Sequence, residues 1–247
     1  MPVLLVTGGS RGIGAAVARR AAADGYDVAL TYADDDAAAR SVAAEVEACG
    51  RRALAIRCDV ARESDVVAAF AAVDEAFGVP DAVVLNAGIT GRFARVDELD
   101  VATLERVLAV NVTGAFVCAR EAVRRMSTAH GARGGAIAFV SSRAASLGSP
   151  GEYVHYAASK GAVNTLTIGL AKEVAREGVR VNAIAPGLIA TEIHARAGRP
   201  ERLERIAAAV PMERPGTPEE VATAILWIVS PAASYVTGAI LDVGGGR

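Results

Sequence analysis

Residues 3–14 read VLLVTGGSRGIG and decide the fold class of this 247-residue chain. The apolar run at 3–6 is typical of a buried parallel strand, and it leads directly into a loop with four glycines. The alanine-rich stretch 15–23, closed by Gly25, is typical of a helix. Strand, glycine-rich loop and helix together point backbone N–H groups and the positive helix end toward a pyrophosphate. The stretch therefore predicts a dinucleotide-binding loop, with a glycine-rich turn that binds no ligand as the alternative.

Strand-like and helix-like patterns alternate along the rest of the chain. A long helical pattern lies near residues 98–128. The predicted strands cover residues 3–6, 27–32, 53–58, 81–85, 135–140, 179–185 and 239–242. Such alternation implies right-handed crossovers and a parallel sheet with helices on both faces. We therefore predict an α/β fold, a Rossmann-type doubly wound sheet of about seven parallel strands, and one domain over residues 1–247.

The pair Tyr156 and Lys160 is the second informative feature, because residues four apart lie on one face of a helix. A phenol has a pKa of about 10, and a nearby ammonium lowers that pKa by favouring the phenolate. The pair can then exchange a proton with a substrate near neutral pH. The same spacing is common on solvated helices, so its weight comes from the glycine-rich loop at the start of the chain.

These two features and four further motifs occur in the order found in the classical short-chain dehydrogenase/reductase family, which the chain resembles. Within that family it is similar to the 3-oxoacyl-carrier-protein reductases. The glycine loop has the spacing Thr-Gly-x-x-x-Gly-x-Gly rather than Gly-x-Gly-x-x-Gly. The other motifs are Asn-Ala-Gly at 86–88, Asn111, Pro-Gly at 186–187 and the pattern at 235–246. The resemblance covers essentially the whole chain.

The resemblance implies hydride transfer between a nicotinamide cofactor and a carbonyl or alcohol. Its catalytic group would be Asn111, Ser142, Tyr156 and Lys160. Tyr156 would be the acid in reduction and the base in oxidation, since hydride transfer to a carbonyl leaves an alkoxide that needs a proton. Lys160 would lower the pKa of Tyr156 and bind the nicotinamide ribose. Ser142 would donate to the carbonyl oxygen, and Asn111 would anchor a water leading to Lys160.

The serine assignment depends on one inserted residue. The family places its serine thirteen residues before the tyrosine, where this chain has Arg143. We therefore assign the role to Ser142 and place one extra residue in the loop 143–152. Ser141 is the neighbouring alternative, and strand alternation turns its side chain to the other side. Tyr153 is predicted to line the substrate pocket.

The resemblance also implies a cofactor site that gathers residues from several strand ends. Its expected members are Thr7, Gly8, Ser10, Arg11, Gly12, Ile13, Gly14, Tyr32, Asp59, Val60, Asn86, Ala87, Gly88, Tyr156, Lys160, Pro186, Gly187, Ile189 and Thr191.

Cofactor choice depends on the end of the second strand, where NAD-preferring relatives carry an acidic residue on the ribose 2′-hydroxyl. That position is Tyr32 here, and Arg11 suits phosphate oxygens. We therefore favour NADP(H), with NAD(H) as the alternative. Asp34, Asp35 and Asp36 follow closely, and one of them could turn inward, although all three suit a solvated helix start.

Composition limits the classes of partner. A net charge of −2 gives no electrostatic reason to expect nucleic acid or a membrane surface. We find no run of about eighteen apolar residues and expect no membrane span. A strand is predicted to begin within three residues of the start, so we expect no signal peptide.

Cysteine and histidine usage points away from a metal. Three cysteines without paired or metal-ligand spacing suit a reducing cytoplasm, and three scattered histidines form no metal motif. We read the cysteines of the predicted elements, Cys58 and Cys118, as packing residues. The expectation is a cytoplasmic protein without a metal and, from the family resemblance, a homo-oligomer, with a tetramer favoured.

Residues 188–216 are longer than an ordinary connection and are predicted to form the substrate loop. The alternative is a solvated helical pair. Its charged and titratable side chains include Glu192, His194, Arg196, Arg199, Arg202 and Arg205.

Three interpretations of function stay open. A 3-oxoacyl-carrier-protein reductase would need a basic patch for its acidic partner, for which Arg120, Arg124 and Arg125 are candidates unless they form a solvated helix face. A sugar or small-alcohol dehydrogenase is the second interpretation. The third, of another class, is a regulatory protein that senses NADP(H) without turnover.

Overall fold

The computed structural model of the chain describes residues 1–191 and 202–247. Glu192, His194, Arg196 and Arg199 of the predicted substrate loop lie outside the described residues, as do the side chains of Arg202 and Arg205.

The described residues form alternating strands and helices. The strands are β1 (Val3–Val6), β2 (Asp27–Tyr32), β3 (Ala53–Arg57), β4 (Ala82–Leu85), β5 (Gly135–Val140), β6 (Val179–Pro186) and β7 (Ile240–Val243). The α-helices are α1 (Gly12–Ala23), α2 (Asp36–Ala48), α3 (Glu63–Phe77), α4 (Val101–Leu108), α5 (Gly114–Met126), α6 (Ala144–Leu147), α7 (Val154–Val174), α8 (Arg202–Ala207) and α9 (Pro218–Val229).

All seven strands pair in parallel, in the order β3-β2-β1-β4-β5-β6-β7. The predicted doubly wound sheet is confirmed. The chain reverses its direction of travel across the sheet between β1 and β4, where Val6 pairs with Leu30 on one side and Val84 on the other. A crevice forms at such a reversal, beyond the carboxyl ends of the strands, and ligands bind there.

Apolar layers cover both faces of the sheet. On one face α1, α2 and α9 contribute Val17, Val42 and Ile225 to the core. On the other, the side chains of Phe70 and Met126 come from α3 and α5, and α7 completes the layer. The central strands β1, β2 and β4 are buried on both faces. This explains why such strands read as nearly continuous apolar runs, because neither side of them meets water.

The predicted long helix is present, but it is not a regular α-helix throughout. A π turn, Ala109–Thr113, separates α4 from α5. Such turns insert a residue into a helix and are frequent at functional sites. Asn111 lies at the centre of the turn and is buried.

The combined helix Val101–Met126 is long and apolar enough to span a membrane by length and composition, with a mean hydropathy of 1.4 over its most apolar window. The expectation that no such stretch exists was therefore too strong. In the fold this helix packs against α3, α7, β4 and β5. The core helix of a globular domain meets the same length and composition criteria.

Candidate active site

Thr7 joins the ends of β1 and β4 at the crevice. Its hydroxyl oxygen accepts hydrogen bonds of 3.0 Å from the backbone N–H groups of Asn86 and Ala87. The Asn86 side-chain amide donates in return to the carbonyl oxygens of Thr7 and Gly8, at 2.9 and 3.0 Å. The glycine loop and the Asn-Ala-Gly motif are thus fixed to each other by four hydrogen bonds.

The glycine loop is shaped to bring backbone close to a ligand. A Cβ atom on Gly14 would lie 2.2 Å from the Gly8 carbonyl oxygen, so no other residue fits there without moving the loop. The helix α1 begins with Arg11 as its N-cap, and no side chain of the described residues caps it. The N–H groups of a helix start that lacks a side-chain acceptor form a ready site for an anion.

A groove of about 790 Å³ runs beside this loop toward β2 and β3. It is lined by twelve of the predicted cofactor residues, namely Gly8, Ser10, Arg11, Gly12, Ile13, Tyr32, Asp59, Val60, Asn86, Ala87, Gly88 and Thr191. Thr7 and Gly14 do not line it; they hold its wall from behind. We call this space the nucleotide groove.

A second cavity, of about 400 Å³, adjoins the first. Asn86, Gly88 and Thr90 line both spaces. Three of the predicted catalytic residues line the second cavity, together with the remaining predicted cofactor residues: Ser142, Tyr156, Lys160, Pro186, Gly187 and Ile189. We call this space the substrate cavity. The structure thus gathers residues from β4, β5, β6 and α7 at one end of the sheet.

Lys160 is buried beneath Tyr156. Its ammonium donates a hydrogen bond of 2.7 Å to the Val140 carbonyl oxygen and lies 5.7 Å from the centre of the Tyr156 ring. Burial disfavours the charged form and lowers the pKa of Lys160 to about 8. The two side chains share one helix face, as their spacing predicted.

Asn111 fixes the backbone of Ile89, which lines the nucleotide groove. Its side-chain oxygen accepts from the Ile89 N–H at 2.9 Å, and its amide donates to the Ile89 carbonyl at 2.8 Å and to the Ser159 hydroxyl at 2.9 Å. A Cβ atom on Gly88 would lie 3.3 Å from both the Asn111 side-chain oxygen and the Lys160 nitrogen. Asn111 is thus close to Lys160, although it does not itself line the substrate cavity.

The two serines after β5 point to different partners. The Ser142 hydroxyl oxygen accepts a hydrogen bond of 3.1 Å from the Ala144 N–H at the start of α6. The Ser141 hydroxyl instead donates to the Asn164 side-chain oxygen on α7, at 2.5 Å. Both serines line the substrate cavity, but the bond to Asn164 directs the Ser141 hydroxyl toward the helix layer. The geometry therefore favours Ser142 for contact with a substrate.

Arg11 faces the end of β2. Its Nη1 atom is buried without a hydrogen-bond partner among the described residues, and it lies 4.0 Å from an Asp35 oxygen. A buried guanidinium nitrogen left in this state fits an anionic ligand group, because an unsatisfied charged donor is costly.

The three consecutive aspartates have three different environments. Asp36 accepts a hydrogen bond of 2.6 Å from the Tyr32 hydroxyl, which raises the pKa of Tyr32. Asp35 caps α2 by accepting from the Ala38 N–H at 3.0 Å. Asp34 is exposed and lines the nucleotide groove. The interpretation of all three as a solvated helix start fits the exposed Asp34 and Asp36 and the capping Asp35, and Asp34 in addition borders the cofactor space.

Comparison with known proteins agrees with this geometry. A family model described as "Enoyl-(Acyl carrier protein) reductase" matches residues 8–247. The chain belongs to the short-chain dehydrogenase/reductase family. "Uncharacterized oxidoreductase YgfF" of Escherichia coli (strain K12) is 50% identical over 247 residues, which is 100% of both chains.

Two further relatives bear on the chemistry. L-rhamnose 1-dehydrogenase (NAD(P)(+)) of Sphingomonas sp. (strain SKA58) is 41% identical, over 98% of this chain and 94% of the relative. A short-chain dehydrogenase from Burkholderia cenocepacia J2315, solved in complex with NADP, is 36% identical with a TM-score of 0.91, over 99% and 97% of the two chains. This short-chain dehydrogenase/reductase is thus an oxidoreductase of a family whose dehydrogenases act on alcohol and carbonyl groups.

Sequence reasoning missed several residues of this short-chain dehydrogenase/reductase site. The Thr31 hydroxyl oxygen accepts from the Gly8 N–H at 3.3 Å, and Arg106 forms an ion pair of 3.0 Å with Asp59 at the groove edge. Ser159 passes a hydrogen bond from Asn111 to the Tyr156 carbonyl oxygen. A hydroxyl inside the apolar strand β2, and a serine within the Tyr156–Lys160 segment, were the available signals.

The proposed basic patch on α5 is neutralised. Arg120 pairs with Glu63, Arg125 with Asp74, and both contact the buried Glu121. Arg124 pairs with Glu121 as well. The solvated-face interpretation of these arginines, with ion pairs to the neighbouring helix α3, is therefore favoured over a docking patch for an acidic protein.

Cys58, Cys118 and His155 are buried. Burial raises the pKa of the Cys58 thiol to about 12 and raises that of Cys118 as well, so both thiols stay protonated. The His155 ring contacts the Thr90 carbonyl oxygen at 2.9 Å, and burial lowers its pKa. Within residues 1–191 and 202–247, no three metal-binding side chains cluster.

Proposed function

We propose that this short-chain dehydrogenase/reductase transfers a hydride between NADP(H) and a carbonyl or alcohol substrate, with Tyr156 as the general acid or base. The observation that carries the proposal is the convergence of Ser142, Tyr156 and Lys160 on the substrate cavity, which opens into the nucleotide groove. A reacting group held there is within reach of both a cofactor and a proton donor.

The nucleotide groove fits a dinucleotide. Backbone N–H groups at the start of α1 suit a pyrophosphate, and the buried Arg11 nitrogen suits a further phosphate. A nicotinamide cofactor bound here supplies or accepts the hydride.

Tyr156 moves the proton. Lys160, whose pKa of about 8 leaves it mostly protonated at pH 7, lies below the phenol ring and stabilises a phenolate by its charge. Reduction of a carbonyl takes the phenol proton onto the new alkoxide, and oxidation of an alcohol returns it.

Ser142 orients the substrate oxygen. Because its oxygen accepts the Ala144 N–H, its own hydrogen is available to donate to a carbonyl oxygen in the substrate cavity. Such a donor acts where negative charge develops in the transition state.

NADP(H) is favoured over NAD(H) by Arg11, although Asp34 opposes a phosphate at the same groove. A relative with 36% identity was solved with NADP, and the L-rhamnose dehydrogenase relative takes either cofactor by its name. We infer a preference rather than exclusive use.

The substrate class best supported is a small sugar or alcohol and its oxo form. The substrate cavity of about 400 Å³ suits a small molecule. The neutralised arginines of α5 argue against docking of an acidic carrier protein. The L-rhamnose 1-dehydrogenase relative supports the same choice.

We also propose that the protein forms a homo-oligomer, with a tetramer favoured. Large apolar side chains are exposed on its helices, including Phe116 at 52% and Trp227 at 44%. Association would remove this surface from water. Light scattering coupled to size exclusion tests the state, and a monomer at micromolar concentration would refute it.

The function is tested by following NADPH and NADH oxidation over a panel of ketones, aldehydes, 3-oxoacyl thioesters and quinones. The reverse reaction is run with sugars and alcohols. We expect turnover with small oxo or hydroxy compounds and a higher kcat/KM with NADP(H). Tight NADPH binding with no turnover in either direction would instead support a regulatory protein that senses the cofactor.

A further inference from the structure

Arg143 directly follows Ser142 and lies thirteen residues before Tyr156, the spacing at which the family resemblance would place a serine. The proposed reaction leaves its side chain without a task. Its guanidinium reaches across to the last part of the chain. Nε donates a hydrogen bond of 2.7 Å to the Arg247 carbonyl oxygen, and Nη1 pairs with the carboxylate of Asp242 in β7. Its backbone N–H donates to the Pro186 carbonyl oxygen at 2.9 Å. One residue thus ties β5, β6 and β7 together directly after Ser142.

The segment 244–247, which we call the tail segment, is held tightly by these contacts. A Cβ atom on Gly244 would lie 3.2 Å from the Arg143 side chain and 3.0 Å from the Arg247 carbonyl oxygen. Gly245 has a φ of +63°, and its Cβ would lie 2.8 Å from a Val210 methyl group. Only glycine fits both requirements at Gly245, so the chain is shaped to lie close against its neighbours.

The tail segment also contacts the far wall of the substrate cavity. The Gly245 carbonyl oxygen accepts from the Met212 N–H at 3.1 Å. Met212 follows Val210, which packs with Leu188 and Ile206 in a small apolar cluster. Arg143 and Arg247 line the cavity together with Ile206 and Ala209. The tail segment therefore links the serine side of the cavity to the α8 side.

We infer that Arg143 is a positioning residue that fixes the tail segment as an end wall of the substrate cavity, and that this wall limits how long a substrate can be. The inference rests on the proposed function. Because the Arg247 carbonyl and Asp242 engage Nε and Nη1, Arg143 acts through the segment that these two atoms hold. Because the tail segment limits substrate length, the substrates that fit are short hydroxy and oxo compounds.

The test compares wild type with R143A, R143K and D242N on a series of 2-alkanones or 2-alkanols of increasing chain length. In R143A the ratio of kcat/KM for long over short members should rise about tenfold, through lower KM for the long ones. R143K keeps the charge with fewer donors and should fall between R143A and wild type. The Kd for NADPH should not change.

Two comparisons make the result specific. R133A removes an exposed arginine paired with Asp81, far from the cavity, and should leave the length profile unchanged. Adding D242N to R143A should raise the long-over-short ratio of kcat/KM by less than D242N raises it in wild type, because both changes break the same interaction. A length profile in R143A and R143K that equals wild type would overturn the inference.

Hydrogen exchange supplies a readout that does not need turnover. The amides of Met212 and Arg247, which bond to Gly245 and Gly244, should exchange at least tenfold faster in R143A. The Gly135 amide, which donates to the Gly178 carbonyl oxygen at the opposite end of β5, serves as the internal reference. Unchanged exchange would show that Arg143 does not fix the segment. If wild type turns over no substrate, the proposed function fails, and exchange alone decides whether Arg143 fixes the segment.

Discussion

The Lys160 ammonium donates a hydrogen bond of 2.7 Å to the carbonyl oxygen of Val140, the last residue of β5. This bond sets the helix α7 against the strand end that carries Ser142. It therefore fixes the phenol of Tyr156 and the Ser142 hydroxyl in one frame, and it holds a cation in a buried position.

Lys160 should make stability depend on alkaline pH. Its pKa falls from 10.5 when exposed to about 8 in the fold. Between these values the unfolded chain holds a proton that the folded chain has lost, so raising the pH favours the folded state. Relative to K160M, wild type should gain stability from pH 8 to 10.5, by at most about 3 kcal/mol. Urea unfolding at several pH values measures the difference.

The matched control for this prediction is K172M, which removes an exposed lysine from the same helix. The difference between wild type and K172M should stay flat over the same pH range. If the stability difference between wild type and K160M is also independent of pH, Lys160 does not have the lowered pKa of a buried ammonium.

Ser142 and Ser141 are neighbours with different expected roles. S142A should lower kcat by about 10²–10³-fold, the cost of one donor to a developing oxyanion, with little change in melting temperature. S141A removes the bond to Asn164 and should cost about 1 kcal/mol of stability with a far smaller kcat loss. Steady-state kinetics and thermal unfolding of both variants check this, and a reversed order would assign the role to Ser141.

Asn111 should affect both stability and turnover. N111A leaves the Ile89 backbone groups and the Ser159 hydroxyl without their partner, at a cost of about 1–3 kcal/mol. Because the Ile89 backbone beside the nucleotide groove is then free to shift, kcat should drop at least about tenfold. T113A, at an exposed position of the same π turn, is the control. Equal stability of N111A and T113A in urea would contradict the assigned contacts.

Arg11 should decide cofactor preference. R11A should raise the Kd for NADPH about 10- to 100-fold, the worth of a charge-assisted hydrogen bond, and change the Kd for NADH by less than about threefold. D34N should lower the Kd for NADPH, since the carboxylate borders the same groove. R19A, on the outer face of α1 and paired with Glu45, is the control. If R11A weakens the binding of NADPH and of NADH equally, Arg11 does not contact the phosphate group that only NADPH carries.

The positions of the strands could be predicted from the sequence, because central strands buried on both faces leave a continuous apolar signal. Each predicted strand end lies within one residue of the observed end. The motifs that follow those strands then had to meet at one edge of the sheet, and that edge holds the Thr7 and Asn86 contacts.

Other features depend on contacts that no local pattern contains. The three aspartates after β2 are identical in sequence, and only the fold separates a tyrosine partner, a helix cap and a groove side chain. The π turn interrupts a helix whose apolar spacing is ordinary. The bond from Arg143 to Arg247 joins residues 104 positions apart. In the sequence, Arg143 therefore stood out only because it lies at the spacing where a serine was expected.

The most direct test of the proposed reaction is kcat for Y156F against wild type on the best substrate, with the NADPH Kd measured on the same preparations. Y235F, at a fully exposed tyrosine, is the control. We predict a loss of about 10²–10⁴-fold in kcat for Y156F, an unchanged Kd, and wild-type rates for Y235F. Wild-type turnover in Y156F would contradict the assignment of Tyr156 as the proton donor.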